Sequence, residues 1–180
     1  MAEAQTKPGV IGVLLDGERR FVRRLEGVLY FQREIYREIE SDPHAIPQAM
    51  AVVVATSVLV ALGQGAGGLV SIFAGLAGSI FQWMAVTGLV WIVGRFATAG
   101  PVDFSKLLRC TGFAYAWLAL QLLASLPILG ILFAWAAVVL VLVSLVIATR
   151  EVLETDTSRA ALVCGVALGV PLVVLLWLGP

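Results

Sequence analysis

An all-α, polytopic membrane protein is the fold class predicted here: five transmembrane helices behind an N-terminal cytoplasmic amphipathic helix. Three observations carry that prediction. Sixty per cent of the 180 residues are apolar, 13% are charged and the mean hydropathy is +0.97, far from the half-apolar, quarter-charged balance of a soluble domain. Five uncharged apolar runs, each near the ~20 residues that cross about 30 Å of hydrocarbon, follow one another with short breaks. All twelve basic residues fall on one side of the alternation those runs define.

The N-terminal segment, residues 1–41, precedes the membrane domain, residues 42–180. Residues 1–10 are polar or helix-breaking and read as mobile. Gly9 to Leu15 is a short apolar patch followed by Asp16, Glu18 and a basic cluster, which is the wrong order for a cleavable signal peptide. From Phe21 the chain becomes periodic. Phe21, Leu25, Val28, Leu29, Gln32, Ile35, Tyr36 and Ile39 recur at steps of three and four, the spacing of one helical stripe lying on the membrane surface or against the bundle. Arg19, Arg20, Arg23 and Arg24 cover part of its other face. They repel one another in water, but near anionic head groups each gains about 1 kcal/mol, so they are the candidate lipid-binding residues.

Asp42 then reads as an N-cap with Pro43 at the first helical position. The spans expected are 46–62, 69–93, 110–126, 131–149 and 160–177. Gly63 to Gly68 make a glycine-rich turn between the first two. Pro127 and Gly130 mark the turn after the third, and Pro171 is expected to kink the fifth. Seven basic residues precede span one, three separate spans two and three, and two separate spans four and five. Retention of Lys and Arg on the cytoplasmic side therefore predicts a multi-pass protein of the cell membrane with its N-terminus inside and its C-terminus outside. Trp91, Phe113, Tyr115 and Trp117 fall near the inner interface, Trp135 and Trp177 near the outer one, and Trp83 sits mid-span, in the bundle or facing lipid.

No catalytic site is read from the chain. Nucleophile activation and ion coupling need ionisable groups at depth, and no Asp, Glu, Lys, Arg or His lies inside an expected span. His44, the single histidine, sits beside Asp42 and Glu40, too few ligands for a metal. Cys110 and Cys164 lack metal or CxxC spacing and read as reduced packing residues. No metal, cofactor or nucleic-acid partner is expected. The spans hold instead small residues at helix-contact spacing: Ser71, Gly75 and Ser79 on the second, and Ala161, Gly165 and Gly169 on the fifth. Such stripes let backbones approach, and internal packing is the favoured expectation, with a partner or homo-oligomer face as the alternative. Gln82 and Gln121 are the most polar buried side chains. They are expected either to pair across spans two and three or to line a polar path.

Two segments resemble a known family. Tyr36-Arg37-Glu38-Ile39-Glu40-Ser41-Asp42-Pro43-His44-Ala45-Ile46-Pro47-Gln48-Ala49 is similar to the lead-in to the first span in prokaryotic members of the Yip1 family. Phe104-Ser105-Lys106-Leu107-Leu108-Arg109-Cys110-Thr111-Gly112-Phe113-Ala114-Tyr115-Ala116 resembles the segment leading into that family's third span. The resemblance, over about residues 30–178, implies an architecture without known catalytic residues. Eukaryotic relatives are associated with vesicle trafficking and prenylated Rab-type GTPases. That partner is not carried over, because their acidic-Leu-x-Gly-Pro motif is absent and Trp117 stands where many relatives place proline. The predominance of Arg over Lys fits a high-GC prokaryote. The functional expectation is a non-catalytic membrane scaffold or adaptor binding other membrane proteins and anionic lipid; the alternative is a small permease or transporter subunit with a polar path through Gln64, Gln82 and Gln121.

Overall fold

A computed structural model of the chain describes residues 10–65, 68–98 and 100–178, with side chains from residue 17 to residue 169. Lys7, Gly9, the side chains of Val10 to Leu15, the middle of the glycine turn and the side chains of Pro171 and Trp177 lie outside what is described. The described residues form seven α-helices: α1 (Val10–Leu29), α2 (Arg33–Ser41), α3 (Ala45–Gly63), α4 (Leu69–Ala97), α5 (Phe104–Ala114), α6 (Gly130–Val152) and α7 (Thr157–Leu178). A 3₁₀ helix, Tyr115–Ser125, continues α5. Among the described residues there is no strand. Four stretches are long and apolar enough to cross a membrane: Ala45–Gly63, Leu69–Ala97, Phe104–Ser125 and Gly130–Val152. A shorter apolar helical stretch, Thr157–Gly169, opens α7. The all-α membrane class is the one the composition predicts.

Helix ends overshoot the expected spans mainly at one end of the bundle. α4 runs to Ala97 rather than 93, α5 starts at Phe104 rather than 110, α6 reaches Val152 rather than 149 and α7 starts at Thr157 rather than 160. The extra turns carry Arg95, Lys106, Arg109, Arg150, Glu151 and Arg159. Hydrophobicity reports where the hydrocarbon ends, whereas the backbone hydrogen bonds continue until a charged side chain or cap stops them. The opposite ends of α3 and α6 stop within a residue of expectation.

The single amphipathic helix expected over 21–39 is two helices. Its stripe is correct, with Val28, Ile35, Tyr36 and Ile39 buried, but α1 ends in a Schellman motif. The Gln32 N–H donates to Gly27 O at 2.8 Å, the Phe31 N–H to Val28 O at 3.1 Å, and Phe31 holds the left-handed φ of 54°. That position usually goes to glycine, and a phenylalanine there is strained. Tertiary contact compensates, since the Phe31 ring stacks on Trp117 with centroids 5.4 Å apart and planes 16° from parallel. Phe21, Leu25 and Leu29 lie along the flank of α3 and the 3₁₀ helix, and α2 packs on α5 and α6. Asp42 is not the N-cap expected: α3 begins at Ala45 with His44 at the capping position and no side-chain cap, Pro43 stands in the turn before it, and Asp42 Oδ1 accepts the His44 N–H at 2.9 Å as an Asx turn leading into the helix.

The third span is not α-helical throughout. Its final eleven residues are 3₁₀, a conformation that rises ~2.0 Å per residue rather than 1.5 Å and rarely runs so long. Local propensity does not account for this, because Trp-Leu-Ala-Leu-Gln-Leu-Leu-Ala favours the α form. Packing does: the segment lies between α3 and α6, and a Cβ at Gly63 would stand 2.1 Å from Gln121 O. The centre of the bundle is the stretch from Arg109 to Ala116, every residue of which is buried. Gly112 lets α3 and α4 close on α5 there, since its Cβ would meet Ala49 Cβ at 2.7 Å and Trp83 Cζ2 at 2.9 Å. Gly112→Val should therefore overpack the core by about 1–3 kcal/mol. The check is a lower melting temperature and loss of a monodisperse peak in detergent; Gly165→Ala, with nothing within 4 Å of the new methyl, should melt with the wild type.

Candidate functional site: a charged collar and an intramembrane cavity

The overshooting helix ends and the α1–α2 pair form a collar of ion pairs around one end of the bundle. Arg24 is its most buried cation, 2% exposed. Its Nε donates to Glu38 Oε1 at 3.0 Å, one terminal nitrogen to Gln48 Oε1 at 2.8 Å and the other to Asp42 Oδ2 at 2.6 Å. One planar guanidinium thus ties α1 to α2, to the α2–α3 turn and to α3, as only a forked donor can. Arg23 pairs with the same Glu38. Grouping Arg24 with the lipid-facing arginines therefore requires correction: it stands on the stripe side of α1, where its charge is already taken. Arg19 and Arg20 are exposed.

Further round the collar, Arg109 is 7% exposed and donates to the backbone carbonyl of Glu40 at 3.0 Å. It thereby satisfies a carbonyl at the C-terminal end of α2, the negative end of the helix dipole. Lys106 Nζ bonds Glu40 Oε1 at 2.9 Å, and Arg37 Nε bonds Glu151 Oε2 at 2.8 Å. Glu151, expected in an exposed loop, is 7% exposed. A polar pocket of about 450 Å³ opens between Arg37, Glu40, Arg150, Glu151, Glu154 and Thr155. Hydrogen bonds from Arg24, chiefly, hold the Asp42 carboxyl below its ordinary range. At Glu38 burial acts upward, and the bonds from Arg23 and Arg24 outweigh it, leaving the carboxyl lowered.

Below the collar lies a dry hydroxyl layer. Trp83, 1% exposed, donates from Nε1 to Thr111 Oγ1 at 3.1 Å, and Thr111 and Thr87 hydroxyls bond at 2.7 Å. Of the two placements open to Trp83, the structure takes the bundle interior. Tyr36 shares a hydrogen bond with Ser144, joining α2 to α6. Burial pushes the Tyr36 hydroxyl up from its ordinary value, with the Ser144 bond a smaller opposing effect. Thr87, Thr111 and Ser144 escaped the sequence reading because lone hydroxyls in apolar runs usually bond their own helix; their burial, all at 0% exposure, appears only in the fold.

Beyond this layer, toward the uncharged end, is a cavity of about 320 Å³ between α3, α4, the 3₁₀ helix, α6 and α7. Gln64, Gln82 and Gln121 all line it, with Ser57, Ser79 and Tyr115. The polar residues singled out from sequence do converge, but the two amides do not bond each other, so the expected Gln82–Gln121 pair is corrected to a shared cavity wall. Gln82 is exposed and Gln121 half-buried. The small-residue stripes also differ from the favoured expectation. Ser71, Gly75, Ala161 and Gly165 are exposed, and a Cβ at Gly75, Gly165 or Gly169 meets nothing within 4 Å. These faces point outward instead of packing within the bundle, where Gly63 and Gly112 serve that purpose. Among the described residues no group of three or more His, Cys, Asp or Glu side chains is placed to hold a metal ion.

A bundle of apolar helices with a paired-charge collar and an uncharged interior defines an α-helical integral membrane protein. The family profile of the Yip1 domain matches residues 27–178, from the last turn of α1 to the end of α7, and the chain belongs to that family. No curated protein and no solved structure matches it.

The collar makes stability pH-dependent. Because the folded-state values of Glu38 and Asp42 are lowered from ordinary values of 4.5 and 3.8, their contribution is complete above those values and is lost as pH falls through the depressed ones. Melting in detergent should be level from about pH 7 to 5 and fall steeply below about pH 4. Arg24→Gln should cost about 2–4 kcal/mol at neutral pH by leaving two carboxylates without their shared partner, and should flatten the acid limb; an acid limb of unchanged depth would contradict the assignment.

Proposed function

We propose that this Yip1-family protein is a non-catalytic scaffold of the cell membrane, with five spans, its N-terminus and charged collar in the cytoplasm and its C-terminus outside. The observation that carries this reading is the outward small-residue face of α4, continued by that of α7. Side chains elsewhere on a lipid-facing helix can be large. Here Ser71, Gly75 and Ser79 repeat every fourth residue on a 29-residue helix whose apolar window is only 6% buried, a surface on which another helix backbone can approach closely. The restriction of basic residues to one end supports the orientation, and the apolar length of α7 supports the fifth span. Exposed Arg19 and Arg20 on α1 support contact with anionic lipid.

A second reading, a small permease, rests on the convergence of Gln64, Gln82 and Gln121 on one cavity. It is the weaker of the two, because Trp83, Tyr36, Phe113 and Leu107, all under 2% exposed, fill the bundle between that cavity and the collar. A permease would give solute flux in proteoliposomes that falls with Gln82→Leu.

Because a Cβ at Gly75 or Gly165 has nothing within 4 Å and both positions are exposed, Gly75→Leu and Gly165→Leu separate partner binding from folding. Either should remove most of a co-purified membrane partner, or shift a homo-oligomer to monomer on a calibrated column, with the melting temperature unchanged; an unaltered complex would count against the scaffold reading. Replacing Arg19 and Arg20 together by glutamine should weaken association of the full chain with anionic over zwitterionic lipid by about 1 kcal/mol per charge, read as lipid enrichment by native mass spectrometry. Equal enrichment in both proteins would remove the lipid role.

A further inference from the structure

The cavity toward the uncharged end is used neither by the packing nor by the scaffold reading. Ser57 Oγ donates to Val53 O at 2.6 Å and is satisfied. The side chains of Gln64, Ser79, Gln82, Tyr115 and Gln121 make no hydrogen bond to any described residue. Tyr115 is the telling member. It is 4% exposed, so its ring is packed on nearly every side, yet its hydroxyl has no partner within the described protein while the residue forms part of the cavity wall. The hydroxyl oxygen is not itself enclosed, since Trp117 Nε1 is the fully buried unbonded side-chain atom among the described residues; it opens onto the cavity with its hydrogen-bonding capacity unfilled, at a depth where lipid replaces water. Ser57 lies twelve residues into α3 and Gln64 one residue past its end, so the cavity spans from about 18 to about 28 Å along that helix from its charged end.

The chemistry of the wall selects the ligand. Amides and hydroxyls both donate and accept, while no Asp, Glu, Lys, Arg or His contributes to it, leaving a phosphate or an ammonium without a counter-charge. The remaining wall is aliphatic, from Val60, Val86 and Leu118 to Leu145 and Leu168. Gln82 on α4 and Val138 and Leu142 on α6 are exposed at the outer surface as well as lining the cavity, so a ligand reaches it sideways from the bilayer. At about 30 Å³ per water the volume equals roughly ten water molecules, room for a small polar head but not for its chains. We propose that this cavity binds the uncharged head of a neutral membrane amphiphile, a glycerol bearing one free hydroxyl and two ester carbonyls, with its acyl chains left in the bilayer between α4 and α6. The proposal does not depend on the scaffold reading: Ser79 belongs to both the α4 stripe and the cavity wall, but the partner experiment substitutes Gly75 and Gly165, neither of which lines the cavity.

The test is photolabelling of the full chain in phosphatidylcholine nanodiscs with three probes: a diacylglycerol carrying a diazirine next to its ester, the corresponding phosphatidic acid, and a diazirine alkane. The diacylglycerol should label peptides containing residues 115–122 or 79–86 at least about fivefold more than either other probe. Gln82→Leu, at an exposed position that leaves the core intact, should lower this labelling about fivefold, and Gln82→Leu with Gln121→Leu further, as loss of one and then two hydrogen bonds predicts. Tyr115→Phe, which keeps the ring, should lower it several-fold with unchanged melting. Equal labelling by the alkane would reduce the cavity to a lipid-facing groove and overturn the proposal. So would stronger labelling by the phosphatidic acid, displacement by free glycerol, or labelling unmoved by all three variants.

Discussion

Charge cannot be left unpaired in hydrocarbon, and the architecture follows from that constraint. Desolvating an ion costs several kcal/mol even after relaxation, so a chain with twelve basic and twelve acidic residues must place them where water or a counter-charge remains. This protein gathers them at helix ends that protrude past the apolar spans, then buries the innermost by pairing. Arg24, Arg109 and Glu151 are all 7% exposed or less; Arg24 and Glu151 are bonded from other elements, and Arg109 bonds both Ser105 on its own helix and Glu40 O on α2. The pairing fixes where α1 and α2 sit, and α2 in turn covers α5 and α6 at that end. A solvated basic helix would have had no reason to take one position.

How much of this was legible in the sequence depends on which physical signal each feature leaves. Hydropathy marks a hydrocarbon boundary, so it places the span ends away from the collar within a residue or so, while at the collar it stops short of the helix ends, which outlast the apolar run. Period 3.6 marks a face, so the buried stripe from Phe21 to Ile39 was found although the helix that bears it is broken. Nothing in the stripe announces the break. The left-handed residue is Phe31 rather than glycine, and the stacking partner that makes this tolerable, Trp117, is 86 positions away in the sequence. The 3₁₀ course of Tyr115–Ser125 left no local mark either, because it comes from two neighbouring helices pressing on residues that individually prefer the α form.

The candidate sites divide the same way. That Gln64, Gln82 and Gln121 matter was visible, since amides are costly in apolar runs; that they meet at a cavity instead of bonding in pairs required the arrangement of five elements. The arginine cluster looked uniform at its i,i+4 spacing, yet Arg19 and Arg24 have opposite fates because α1 presents them to different surroundings. Small-residue spacing identified surfaces suited to close approach without identifying what approaches. Gly27, Gly63, Gly94, Gly112 and Gly130, outside those stripes, are glycines that touch neighbours within the bundle. The repeating stripes face outward.

The bundle is thus stratified along its axis, and the strata have different tolerance for change. At one end, directional bonds of buried ions hold helices in register, and substitution there should unfold before it alters any binding. In the middle, the Trp83–Thr111–Thr87 contacts and the close packing at Gly112 close the interior, so that polar groups farther along are separated from the charged collar. The remaining part combines unfilled hydrogen-bonding capacity with walls that neighbouring helices do not press shut. Stability and recognition are therefore carried by separate layers: the sealed middle lets the amides and the Tyr115 hydroxyl remain available to a ligand from the bilayer without opening a leak through the membrane.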